Sequence, residues 1–528
     1  MKFPGICIVD YGSQTTTLIA KISRRMGIFS EIIKPEDLEN KLKDDNNRDQ
    51  NIYGVILSGG PRSVNDSNEL YSLENEPFKI LLKLKIPVLG ICYGAQLISK
   101  LFGAQILPQQ NREYGSSQMK LTTNINLLQD EIMRSIIFGT MQVWMSHSDL
   151  IQIPKDSDQF QVFGTTDQSP SMIKITDRNW YGFQFHPEVT HSSMGKELLE
   201  NFMVGICQIP RKWNSKNFIE TQIPLLKNKI GSKNVLMACS GGVDSTVTAL
   251  MLNKAIGTQF VGIFINNGLL RKNEYQEVMQ LYKDMNLNVV GLDSSNKFYQ
   301  ALKGVTEPEQ KRKVIGNLFI QIFHEIVKKC DCKIEFLGQG TIYPDVIESM
   351  GGIKSHHNVG GLPKKLGFKL VEPLRDLFKD EVRQVGLELG LRSEILNRHP
   401  FPGPGLAIRI IGEVTPERVK ILQEADYIFI NALKTINLNK QSFYEKVWQA
   451  GAILLNDKSV GVMGDNRTFE SVLALRAVTS VDGMTANVAL LPMDFLVSVG
   501  NLIVNNVKGI NRVVYDVTTK PPGTIEWQ

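Results

Sequence analysis

Short apolar runs that end near glycine alternate with longer stretches carrying an apolar stripe, and this rhythm opens at the first residues. Residues 5–10 (GICIVD) predict a short buried strand. Leu18, Ile19, Ile22 and Met26 follow at helical spacing and predict a helix with those four on one face. Residues 41–50 (KLKDDNNRDQ) are polar and charged and read as a surface loop. Strands are predicted at 53–57, ending in Ser58-Gly59-Gly60-Pro61, and at 87–91, with a helix over 93–102. Strands alternating with helices imply a parallel sheet covered by helices on both faces.

The rhythm pauses at Ile209-Pro210-Arg211-Lys212-Trp213, which reads as a linker, and then restarts. Strands are predicted at 234–239, 260–265 and 333–337, and a helix from Ser245. Val314, Ile315, Leu318, Phe319, Ile322, Phe323 and Ile326 share one face of a further helix. His399-Pro400-Phe401-Pro402-Gly403-Pro404-Gly405 cannot continue a helix or a central strand, so a second boundary is expected there. The reading is α/β: two doubly wound parallel-sheet domains at 1–208 and 209–403, then a smaller α+β domain at 404–528.

Length agrees, since 528 residues suit about three domains of roughly 150 each. A net charge of +5 is too small for this length to argue for a nucleic-acid partner. The six cysteines, Cys7, Cys92, Cys207, Cys239, Cys330 and Cys332, show no paired framework, which favours reduced thiols and a cytoplasmic setting. Cys330-Asp331-Cys332 is too tight for the usual zinc pair and has no second half. No secretory leader is visible, and residues 488–507, the most apolar late stretch, are broken by Pro492, Asp494 and several asparagines, so no membrane span is expected.

Gly90-Ile91-Cys92-Tyr93-Gly94-Ala95-Gln96 falls where a strand meets a helix, the cysteine form of a nucleophile elbow. Glycines permit the sharp turn and close helix–strand packing. A helix N-terminus favours the thiolate, the reactive form. The backbone N–H of Tyr93 and one from Gly59-Gly60 are candidate oxyanion donors. In Gln184-Phe185-His186-Pro187-Glu188, His186 would take the thiol proton and Glu188 would orient the imidazole. A lone buried cysteine is ordinarily an inert small hydrophobe. What singles out Cys92 is the glycine pattern together with His186 and Glu188 in one α/β unit.

These motifs, with Asp10-Tyr11-Gly12-Ser13-Gln14 and Ser58-Gly59-Gly60-Pro61, resemble the class I glutamine amidotransferases over residues 5–205. The resemblance implies hydrolysis of the glutamine side-chain amide through a thioester on Cys92, with Gly60 and Gln96 helping to hold glutamine. Trp144-Met145-Ser146-His147-Ser148-Asp149 is also similar to a family segment, except that Ser148 stands where a glycine is usual.

Ser240-Gly241-Gly242-Val243-Asp244-Ser245 lies between a predicted strand and helix. Successive N–H groups at such a turn cradle anions, and the Ser240 and Ser245 hydroxyls add donors. The Walker A spacing is absent. The segment resembles the PP-loop of ATP pyrophosphatases, which bind the pyrophosphate of ATP and adenylate a substrate oxygen, with Mg²⁺ screening the phosphates. PP-loops also serve NAD, asparagine and argininosuccinate synthetases and tRNA-thiolating enzymes.

The choice among these rests on Gly338-Gln339-Gly340-Thr341-Ile342-Tyr343-Pro344-Asp345, on Lys354-Ser355-His356-His357-Asn358-Val359-Gly360-Gly361, and on Lys520-Pro521-Pro522-Gly523-Thr524-Ile525-Glu526-Trp527. Adjacent histidines rarely converge on one metal, and a glycine-rich loop fits them better. All three segments resemble the GMP synthetase family, and the match spans essentially the whole chain. The resemblance implies glutamine, ATP and XMP as substrates and a homodimer formed by the last domain. It places Gly340 and Asp345 at the ATP site and Lys354 on a lid. Arg312, Gln449, Arg512, Lys520, Ile525 and Glu526 match XMP-site positions, and cations suit a nucleotide phosphate. Each of these charges, taken alone, reads equally as a solvated surface group. The metal ligands are not readable. A tRNA-directed PP-loop enzyme would want a strongly basic face, which near-neutral charge opposes. A non-catalytic nucleotide sensor would be expected to lose the thiol or the phosphate loop, and both are intact.

Overall fold

The structure, a computed structural model, describes residues 3–45, 51–66, 76–136, 139–329, 334–350, 368–435, 437–438, 441–480 and 483–528. It divides into two compact units, Met1–Phe218 and Ile219–Gln528.

The first unit is built on nine strands: β1 (Gly5–Val9), β2 (Phe29–Ile33), β3 (Ile52–Leu57), β4 (Val88–Ile91), β5 (Gln105–Leu121), β6 (Thr140–Gln152), β7 (Phe160–Thr165), β8 (Pro170–Ile175) and β9 (Trp180–Phe183). They form one sheet in the order β2-β1-β3-β4-β9-β8-β7-β5-β6. From β2 to β9 neighbouring strands run parallel, and β1, β4 and β9 are buried along their whole length, as continuous apolar runs demand. From β9 to β6 the pairing turns antiparallel. This half lacked the βα rhythm that made the parallel half legible.

Three local expectations shift. Helix Thr16–Arg25 buries Thr16, Ile19, Ala20 and Ser23, while Leu18 is 40% exposed, so the inward stripe is one position round from the expected face. Residues 41–45 belong to helix Leu38–Asp45, because Leu38 and Leu42 lie one turn apart and both bury. The 209–213 segment is no free linker. Trp213 is buried against Phe3 and Phe29, and the Arg24 guanidinium stacks 4.4 Å from its ring. A desolvated cation–π contact of this kind contributes about 2 kcal/mol.

The second unit carries a wholly parallel sheet ordered β12-β11-β10-β13-β14, from β10 (Asn234–Cys239), β11 (Phe260–Asn266), β12 (Val289–Asp293), β13 (Ile334–Gly338) and β14 (Lys369–Val371). Its order reverses between β10 and β13, and ligands of open α/β sheets bind at the carboxyl ends beside such a reversal. Helix Pro308–Lys329 buries Ile315, Ile322 and Phe323 of the expected stripe. The short strands β15 (Asn437–Leu438) and β16 (Gln441–Ser442) pair with each other. Then β17 (Gln449–Met463), β18 (Asn466–Thr479), β19 (Asn487–Val488) and β20 (Ile510–Tyr515) form a mixed sheet in which only β18 and β20 run parallel. Helices Pro416–Thr435 and Met493–Asn506 pack against it. The boundary expected at 403/404 runs inside this unit, since one apolar cluster extends from Leu236 and Leu337 through Leu406 and Leu422 to Leu475 and Ile503. Cys330, Cys332, Lys354, His356 and His357 lie outside the described residues.

Gly90 and Gly94 flank the first sharp turn. A methyl on Gly94 would stand 2.2 Å from the Leu57 carbonyl oxygen, and one on Gly90 2.3 Å from that of Gly94. Gly94→Ala is therefore expected to destabilise the first unit by about 3 kcal/mol, read as a lower midpoint of its thermal transition; an unchanged midpoint would show the backbones can part.

Candidate active sites

In the first unit, three neighbouring parallel strands deliver the chemistry. β3 ends at Ser58-Gly59-Gly60, β4 at Cys92 and β9 just before His186. Register pairs Ile91 with Phe183, and the Cys92 amide donates 2.7 Å to the Phe183 carbonyl. Cys92 then adopts φ +52°, ψ −104°, a conformation costly for a residue with a side chain, before helix Tyr93–Leu101 begins. The strain sits on the cysteine, while the flanking glycines serve close approach.

The Cys92 thiol faces His186, and Sγ lies 3.6 Å from the Ser146 carbonyl oxygen on β6. His186 Nδ1 lies 2.7 Å from Glu188 Oε1. That oxygen also accepts from Thr15 Oγ1 at 2.5 Å, while Oε2 is buried with no hydrogen-bond partner among the described residues. Burial disfavours the imidazolium, but hydrogen bonds to Cys92 and Glu188 and their charges outweigh it and push His186 up to about 10. The arrangement is a cationic imidazole held between sulfur and carboxylate.

Gly59 closes tightly on the pair: a methyl there would lie 3.1 Å from His186 Cε1 and 3.6 Å from Cys92 Cβ. At Gly60 it would lie 2.6 Å from the Tyr11 carbonyl oxygen. Tyr93 opens the helix, so its N–H follows the thiol at the helix N-terminus. Gln96 is buried and donates from Nε2 to the Asp149 carbonyl at 2.9 Å. Ser148 lies within β6, beside a register shift and without a positive φ, so the glycine usual there is not required. Thr15 carried no sequence signal, because its partner lies 173 residues away.

In the second unit the 240–245 turn joins β10 to helix Val243–Ile256 at the sheet's reversal. The helix starts at Val243, two residues before the expected position, so Asp244 and Ser245 stand in its first turn with Gly242 as N-cap. Gly241 has φ +75°, and its N–H donates to the Tyr282 hydroxyl at 3.1 Å. Ser240 and Ser245 hydroxyls lie 3.0 Å apart and accept from the amides of Gly242 and Ser240. The loop is thus held from behind, with its hydroxyls on the exposed side. Gly340, just past β13, packs against it: a methyl there would lie 3.3 Å from Asp244 C and O. Asp345 Oδ2 accepts from the Ile342 amide at 3.0 Å and caps helix Tyr343–Met350. Lys379, unremarked in the sequence, pairs with Asp244 Oδ2 at 2.8 Å. The other oxygen, Asp244 Oδ1, is buried with no hydrogen-bond partner among the described residues.

Of the expected nucleotide residues, Gln449, Ile525 and Glu526 line one recess with Arg409 and Arg476. Arg409 donates to both Glu526 oxygens, at 2.9 and 2.7 Å, and Gln449 donates to one of them. Burial opposes a charge on Glu526, but the Arg409 cation prevails and holds the carboxyl below its ordinary range. Arg476 grips the main chain at Thr518, Thr524 and Ile525. Arg312 reaches the Gln528 main-chain oxygen. Arg512 is exposed on β20, and Lys520 donates to the Gly483 carbonyl at 2.7 Å, so neither joins the recess. Arg409 and Arg476 sit inside ordinary apolar patterns, which is why the sequence did not flag them.

A thiol–imidazole–carboxylate cluster at parallel strand ends, joined in one chain to a glycine–serine anion turn, defines a glutamine-dependent, nucleotide-using enzyme class. Family descriptions agree: Glutamine amidotransferase class-I matches residues 7–206, NAD synthase matches 214–403 and GMP synthase C terminal domain matches 436–527. The chain is 50% identical to a GMP synthase [glutamine-hydrolyzing] of Cytophaga hutchinsonii and 48% identical to those of Christiangramia forsetii and Phocaeicola vulgatus, each alignment covering 99% of both chains. The chain belongs to the glutamine-hydrolysing GMP synthase family.

His186 binds its proton more tightly folded than unfolded. The stability this brings is therefore full below about pH 6.5 and is lost as pH rises through about 10. Glu188→Gln is expected to lower the thermal midpoint more near pH 6 than near pH 10; equal losses at both would show that the carboxylate does not sustain the imidazolium.

Proposed function

We propose that the chain makes GMP from XMP, ATP and glutamine, with the work divided between its two units. The observation that carries this reading is the Cys92–His186–Glu188 cluster in the same polypeptide as the 240–245 turn. Cys92 attacks the glutamine amide carbon, and the tetrahedral oxyanion is met by the N–H of Tyr93 and one from Gly59-Gly60. His186 passes its proton to the departing ammonia, leaving a thioester on Cys92. Water then hydrolyses the thioester to glutamate. Gly60 and Gln96 border the bound glutamine.

In the second unit the 240–245 turn, Gly340 and Asp345 hold ATP, and Lys379 adds positive charge beside the phosphates. The C2 oxygen of XMP attacks the α-phosphorus, pyrophosphate leaves, and ammonia then displaces AMP at C2. Adenylation turns a poor leaving oxygen into a good one. Mg²⁺ suits this site: it takes one or two carboxylates plus phosphate oxygens, and the orphaned Asp244 Oδ1 is such a ligand. When bound, it screens the phosphate charge.

Arg312, Gln449, Arg512, Lys520, Ile525 and Glu526 are assigned to the XMP site by family likeness, and Lys354 to a lid. The assignments 1–208 (amidotransferase), 209–403 (ATP pyrophosphatase) and 404–528 (dimerisation and XMP binding) follow the same likeness. A homodimer is inferred because Leu490, Met493 and Val497 are 92, 71 and 53% exposed around one helix. A cytoplasmic location fits the reduced cysteines; among the described residues no helix is long and apolar enough to cross a membrane.

Cys92→Ala is expected to abolish glutamine-dependent GMP formation while synthesis from added ammonium persists. Loss of both in a folded protein would refute the division of labour. Asp244→Ala is expected to stop pyrophosphate release by about a hundredfold or more while Cys92 still reacts with a glutamine-like alkylating agent.

A further inference from the structure

The seat of residues 524–528 is the most heavily built feature that the reaction scheme leaves unexplained. Lys311, on helix Pro308–Lys329, has no exposed surface. Its ammonium donates to the Ala407 carbonyl at 3.2 Å, the Ile410 carbonyl at 2.6 Å and Gln528 Oε1 at 2.8 Å. Three donors thus meet three acceptors, two from the chain just past the proline-rich segment and one from residue 528. Burial first, and the nearby Arg418 cation second, bring Lys311 down to about 8, so each acceptor matters to keeping it charged. Next to it, Arg312 holds the main-chain oxygen of the same Gln528. Two residues earlier, Glu526 is gripped by Arg409, which is itself only 2% exposed and stands 3.6 Å from Asp426.

We propose that Lys311 is a positioning residue for the nucleotide site: by holding Gln528, which Arg312 also grips, it fixes the end of the segment that carries Glu526. The inference rests on the reading of the reaction given above. Lys311 touches no substrate in this scheme; it acts through residue 528. Arg409 clamps the same segment at Glu526 and Arg476 holds it at Thr524 and Ile525, so the Lys311–Gln528 side-chain contact fixes its far end. An unfilled donor on a buried ammonium is costly, so removing the Gln528 acceptor loosens the end of the segment while Arg409 and Arg476 still hold residues 524–526.

The test uses the full-length protein with Gln528→Ala, Lys311→Met, the double variant and Gln528→Glu, which keeps an acceptor oxygen. KM for XMP is measured with saturating ammonium as amine donor, and glutamine hydrolysis is measured separately. Each single variant is expected to raise KM for XMP about tenfold, the value of one charge-assisted hydrogen bond, with kcat changed by less than about twofold. The double variant should be no worse than the more severe single one, because both remove the same contact. Gln528→Glu should restore the wild-type KM, and glutamine hydrolysis should be untouched throughout. An unchanged KM in Gln528→Ala, or additive losses in the double variant, would overturn the proposal. Failure of the wild-type protein to convert XMP would instead overturn the reading beneath it. Gln528→Ala, at a partly exposed residue, keeps the test informative even where Lys311→Met fails to fold.

Discussion

Everything in the first unit depends on one close approach, in which a helix begins so near the end of its parent strand that no side chain fits between them. Gly94 lies against the Leu57 carbonyl and Gly90 against Gly94. That contact forces the residue between them into positive φ and turns its side chain out at the carboxyl edge of the sheet. Parallel pairing of β4 with β9 then brings His186 to the sulfur without any long-range search. The helix N-terminus and the imidazolium both favour negative charge at the same place.

The second unit solves a different problem with the same strand-to-helix device. Here the residue at positive φ is Gly241, and the turn presents amides and hydroxyls rather than a nucleophile. The sheet order reverses at this point, so β13 delivers Gly340 to the loop's other side. Asp244 has one oxygen on Lys379 and the other buried with no hydrogen-bond partner among the described residues. Both turns put a helix N-terminus and a nearby cation, His186 in one unit and Lys379 in the other, where negative charge would be stabilised. Housing them in separate units lets each be tuned without disturbing its counterpart.

Much of this was legible in the sequence, and physical reasons separate what was from what was not. Strand ends followed by glycine-rich turns are local signals, so Cys92, His186 and the 240–245 loop stood out, and 234–239 was delimited to the residue. The antiparallel half of the first sheet left no βα rhythm to read. Thr15, Lys379, Arg409 and Arg476 were invisible because their meaning lies in partners between 40 and 173 residues away. At the 403/404 boundary the core shows no break: one apolar cluster continues past it, with Leu406 and Ala407 fully buried.

The most direct test of the account follows atoms through a single turnover. XMP carrying oxygen-18 at C2 and glutamine carrying nitrogen-15 in its amide are supplied together with ATP, and the products are weighed by mass spectrometry. The account predicts oxygen-18 in the phosphate of AMP and nitrogen-15 in the exocyclic amine of GMP. Label in pyrophosphate or water, or GMP lacking nitrogen-15 while labelled ammonium accumulates, would contradict it.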